Sequence, residues 1–158
     1  MCRYRWRQIA LSAALAAAIT AHAQDFDACT VFTEEDAAAA IGAPVSAEPV
    51  NPKLKRPKVV PNCSYYGSKE GKVTTASVQF KFGKTDADAK GAFDSARMQF
   101  QSKPMLMGDV AAFWSAKQGQ LYVLKGRTWL MIAVGTEKVS ERNPDGARKL
   151  AEILLKKI

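Results

Sequence analysis

Histidine is almost missing from this sequence. His22 is the only one among 158 residues. Ser-His-Asp and Cys-His hydrolysis, imidazole metal sites and histidine acid–base catalysis all need such a side chain in the folded domain. Cysteine is nearly as scarce, with Cys2, Cys29 and Cys63. No glycine-rich phosphate loop or calcium-loop pattern occurs. No apolar run reaches the roughly 20 residues that span a bilayer comfortably. What remains open is carboxylate chemistry or a lysine base. Paired catalytic carboxylates must converge in one cleft. The acids here fall mainly at expected helix starts, namely Glu34, Glu35 and Asp36, then Asp86 and Asp88, then Asp145. Capping and the helix dipole favour negative charge at those places. The expectation is a protein that is not an enzyme and holds no cofactor and no metal.

The N-terminus is patterned for export. "MCRYRWRQ" is a basic segment, "IALSAALAAAIT" has the length of a secretory apolar region, and "AHAQ" supplies small residues for a signal peptidase. Residues 1–23 are therefore read as a signal peptide cut at Ala23–Gln24, and residues 24–158 as a single domain of the periplasm or the secreted fraction. No transmembrane segment is expected after cleavage. The alternative is a retained membrane anchor. A lipid anchor would need a cysteine where Gln24 stands. Cys2, His22, Arg3, Arg5 and Arg7 leave with the leader, which takes three from the net charge of +8. The remainder is basic but short of the excess typical of nucleic-acid binders, so no nucleic-acid partner is expected. Cys29 and Cys63 then form an even pair. In an oxidising compartment such a pair most simply makes one disulfide; the rival is two reduced, buried thiols.

Hydrophobic periodicity sets the architecture. "VFTEEDAAAAIGAP" is a short helix with Thr33 as cap, Asp36 as its box partner and Gly42 as its end. Residues 44–61 hold five prolines and read as an irregular surface segment. Residues 63–67 and 73–82 form a hairpin around "SKEGK", with Ala76, Val78, Phe80 and Phe82 alternating toward a buried face. A helix capped by Thr85 follows, its stripe formed by Ala89, Phe93, Ala96 and Phe100. "VAAFWSA", "LYVLK" and "TWLMIAVG" are three more strands, the last apolar on both faces and so central or covered. A helix capped by Asn143, with Pro144 at its first position, closes the pattern. Two strand–strand–helix units thus follow a short helix. The fold class expected is α+β, an antiparallel sheet of about five strands with helices packed on one face.

The combination "ACTVFTEEDAAAAIGAPV", "CSYY" and "MGDVAAFW" with two late strands resembles the small secreted or lipoprotein domains of unknown function best known from actinobacteria. In those, a Cys precedes a short leucine-rich helix ending in Gly, a second Cys precedes an aromatic, and a Gly-Asp-x-Ala turn introduces the closing hairpin. The resemblance spans most of residues 28–135. It implies a cysteine-paired exported domain and no activity. The chain departs from the pattern by lacking the lipid-attachment cysteine. A more distant architectural likeness is to secreted β-lactamase inhibitors built of repeated helix-and-sheet units.

Two functional readings follow. In "NPKLKRPKVVPNC", Lys53, Lys55, Arg56 and Lys58 are held close by Pro52, Pro57 and Pro61. Proline lowers the ordering entropy of such a loop, which suits contact with an anionic envelope component or an acidic protein. The bland alternative is a solvated loop. The second reading is an inhibitor or immunity protein for a secreted enzyme, with Met105, Leu106 and Met107 either forming an apolar wedge or tucked under the sheet. Tyr65, Tyr66, Trp114 and Trp129 either line a ligand groove or belong to the core.

Overall fold

The computed structural model describes residues 26–47 and 59–158. The expected leader, residues 1–23, and the loop cations Lys53, Lys55, Arg56 and Lys58 lie outside the described residues. Strand β1 (Phe26–Asp27) leads into one helical turn, α1 (Ala28–Val31), started by the Asp27 carboxylate, which accepts from the Cys29 N–H at 2.9 Å. Helix α2 (Glu34–Ile41) opens with the expected capping box. Asp36 Oδ2 accepts from the Thr33 N–H, and Thr33 Oγ1 accepts from the Asp36 N–H. Two donors that a helix start leaves open are thereby satisfied.

The proline-rich segment is bounded by two short strands, β2 (Val45–Ala47) and β3 (Val59–Val60). Strands β4 (Asn62–Lys69) and β5 (Lys72–Phe82) form the expected hairpin with a tighter turn than "SKEGK" suggests. Only Glu70 and Gly71 lie between them, at φ 53° and 75°. Two-residue hairpin turns match the strand twist when both residues adopt positive φ. Helix α3 (Asp86–Gln99) precedes a meander of β6 (Pro104–Met107), β7 (Val110–Ser115), β8 (Gln120–Lys125) and β9 (Thr128–Gly135). A 3-10 turn (Val139–Glu141) then leads to α4 (Pro144–Leu154), where Asn143 Oδ1 accepts from the Asp145 and Gly146 N–H groups.

The main sheet is antiparallel in the order β2-β4-β5-β9-β8-β7-β6. The α+β class is as expected, with seven strands instead of about five. Both additions are edge strands. The three residues of β2 are too few for alternation to be read, and β6 begins at Pro104, which an edge strand tolerates. Apart from this sheet, β1 and β3 form a parallel two-stranded ribbon.

Side chains alternate between two covered faces. One row runs Cys63, Val78, Ile132, Leu121, Trp114 across β4, β5, β9, β8 and β7. This face carries the main core, closed over by α1, α2 and α4. Ala147, Leu150, Ala151 and Leu154 of α4 are fully buried there. Gly146 lets α4 seat closely, because a Cβ at that position would lie 2.9 Å from Val134 Cγ1 and 3.1 Å from the Ala40 carbonyl oxygen. The opposite face carries Phe113, Tyr122 and Trp129, and α3 covers it with Phe93 and Phe100. Helices therefore lie on both faces, where a single helical layer was expected. The reason is that β8 and β9 are apolar on both sides, and each side needs cover.

Candidate functional site

Exposed apolar and cationic groups lie together where the β1–β3 ribbon meets the end of β5. The disulfide organises this end. Cys29 and Cys63 are bonded, with Cα atoms 5.2 Å apart, and tie α1 to β4. Beside them the buried Tyr65 ring meets Phe32 edge-on at 5.0 Å, and its hydroxyl donates to the Phe32 carbonyl at 3.1 Å. Burial pushes the Tyr65 phenol up, and the carboxylates of Glu34, Asp36 and Asp27 add to that. Tyr65 is a structural strut.

In the ribbon Phe26 stands opposite Val59. The Phe26 ring meets Phe80 at 5.0 Å and Phe82 at 4.8 Å, both edge-on. Phe80 is buried, whereas Phe82 is 51% exposed and Val59 38% exposed. The alternation of β5 places Phe82 on the core face as expected, but the strand runs past the helices that cover that face, so the ring is left half in water. Sequence reasoning counted Phe82 with the buried set; only the reach of the helices decides otherwise. The sequence signal for Phe26 is its aromatic character two residues before Ala28 of α1.

Cations lie at this strand end. Lys81, Lys84 and Arg127 are exposed, Lys81 on the sheet face opposite Phe82. Arg127 is tied into the turn, since its carbonyl accepts from the Gly83 N–H at 2.8 Å and its Nη1 donates to the Lys84 carbonyl at 3.5 Å. Among the described residues none of the three is within ion-pair distance of a carboxylate. Of the nearby acids, Asp88 caps α3 through the Thr85 N–H and Asp86 lines a separate cleft.

That cleft, of about 580 Å³, lies at the end of the sheet and is lined by Asp86, Lys90, Asp109, Leu124, Lys125 and Leu155, among others. Its lysines are already engaged. Lys90 pairs with Asp94, and Lys125 donates to the carbonyls of Leu155 and Ile158. No group of three or more His, Cys, Asp or Glu side chains converges on a possible metal position among the described residues.

The other sequence candidates separate in space. Tyr65 and Trp114 point to one face of the sheet, Tyr66 and Trp129 to the other. They form no common groove. The Met105–Met107 run is strand β6. Met107 is buried, Met105 is half-buried and Leu106 is 69% exposed on the opposite side. No family model, curated protein or solved structure matches the chain.

Proposed function

We propose that the protein is an exported, non-enzymatic binding module of the periplasm or the secreted fraction, released from a signal peptide at residues 1–23. Its basic segment, Lys53, Lys55, Arg56 and Lys58, meets an anionic partner, either an envelope component or an acidic protein. The observation that supports this reading is the anchoring of that segment at both roots. Ala47 pairs with Tyr65 on β4, and Val59 pairs with Phe26 on β1 beside the Cys29–Cys63 bond. Anchored roots reduce the ordering that binding would otherwise require. The resemblance to small secreted, cysteine-paired domains belongs to the same proposal. The test is affinity for a soluble polyanion such as dextran sulfate as salt is raised. Binding that falls steeply with salt, and is lost on changing all four cations to Gln, supports the reading. Absence of binding at low salt, or full binding by the Gln variant, removes it.

A second reading, an inhibitor or immunity protein for a secreted enzyme, is favoured by strand β6, which ends the sheet and presents Leu106 to solvent. An open edge strand can be extended by a partner's strand. The basic charge calls for an acidic enzyme. A periplasmic extract that yields no stoichiometric enzyme partner counts against it.

A further inference from the structure

We propose that the Phe26–Val59–Phe82 patch seats the protein on an anionic lipid bilayer. This rests on, and narrows, the reading of an anionic partner. Two observations converge. Phe82 and Val59 leave 51% and 38% of their surface in water, and Phe26 braces Phe82 from below at 4.8 Å. A ring held by its neighbours and projecting at the end of a strand suits insertion among acyl chains more than enclosure in a cleft, and the cleft described above is lined by other residues.

Lys84 and Arg127 meet at the turn just beyond Phe82, and neither has a carboxylate partner among the described residues. An exposed aromatic ring beside unneutralised cations matches the two forces that hold a peripheral protein at an anionic surface, apolar insertion and headgroup attraction.

The experiment uses the full chain, expressed and recovered after export, with its processed mass measured so that every variant is compared in the same leader state. Co-sedimentation is measured with phosphatidylglycerol/phosphatidylethanolamine vesicles, with phosphatidylcholine vesicles and with dextran sulfate as a soluble polyanion. The expected result is binding to the phosphatidylglycerol vesicles that weakens about tenfold in Phe82→Ser. It should weaken a further several-fold for each of Lys84→Glu and Arg127→Glu.

Binding to these vesicles that is indifferent to Phe82→Ser and to both charge reversals overturns the proposal. Binding to dextran sulfate with no vesicle binding overturns the bilayer as partner and leaves the anionic-partner reading standing. Binding to neither removes both. Should Phe82→Ser fail to fold, Phe82→Trp decides. Its added fluorescence is quenched by brominated acyl chains if the ring inserts, and absence of added quenching relative to the parent protein overturns the proposal.

Discussion

Lys157 donates to Asp36 across 121 positions of sequence, with Nζ 2.5 Å from Oδ2. The same carboxylate oxygen accepts from the Thr33 N–H at the start of α2. Asp36 thus fastens the turn that follows the last helix to the beginning of an early one, and its residue is 9% exposed. Burial alone raises the Asp36 carboxyl, but the bonds from Lys157 and from the Thr33 backbone and hydroxyl outweigh it and leave the group below its ordinary value. A carboxyl lowered in the folded state gives stability that is present above its unfolded value and is lost as pH falls through the folded one. The protein should therefore hold this contribution at neutral pH and lose it below about pH 4. Asp36→Asn should flatten urea-unfolding stability between about pH 2 and 5 relative to the parent. Lys157→Met should cost about 1–2 kcal/mol, because the ammonium is partly exposed. Asp36→Ala should cost about 1 kcal/mol more through the lost cap.

The cysteine bridge spans 34 residues of sequence. Closing a loop of that length restricts the unfolded chain by about 3–4 kcal/mol in the chain-entropy model. Cys29→Ser with Cys63→Ser should lower unfolding stability by about that amount. The intact protein should gain about 2 Da on reduction, and an unchanged mass would show the thiols to be free.

Helix α3 should depend on Phe93 far more than on its outward side chains. Phe93 is 2% exposed and meets Phe113 at 5.0 Å, while Met98 on the same helix is 65% exposed. Phe93→Ala should cost about 3–5 kcal/mol and Met98→Ala less than about 0.5 kcal/mol, read from chemical denaturation. Equal effects would mean that α3 is not seated on the sheet as described.

Gly146 sits in the first turn of α4, where alanine would ordinarily favour the helix by about 1 kcal/mol. Here an added Cβ would approach Val134 Cγ1 at 2.9 Å and the Ala40 carbonyl oxygen at 3.1 Å. Gly146→Ala should therefore lower the melting temperature, and a rise would place α4 farther from β9 than the geometry states.

Much of this architecture was legible because local chemistry carried it. Thr33 with Asp36, Thr85, and Asn143 with Pro144 announce three helix starts, and all three caps form, Thr85 with Asp88 as a box partner that the structure adds. The alternation from Ala76 to Phe80 identifies the buried side of β5. What escaped was long-range. The stripe Ala89, Phe93, Ala96 and Phe100 says that α3 must be covered, but strands apolar on both sides offer it two equivalent seats. The edge strands β2 and β6 are too short to show a period. Alternation likewise says which way Phe82 points and nothing about where the covering helices stop. The candidate site lies in that gap, since exposure at a strand end depends on elements distant in sequence.

The sheet's centre is made by pairing β5 with β9, and this sets the timing of assembly. A ribosome delivers β5 about 45 residues before its neighbour. Throughout that interval β5 is an open edge carrying Val78 and Phe80, able to pair with any strand that reaches it first. Completion waits for Thr128–Gly135 to emerge. A nascent chain stalled before that point should be the form that chaperones hold and that aggregates most readily.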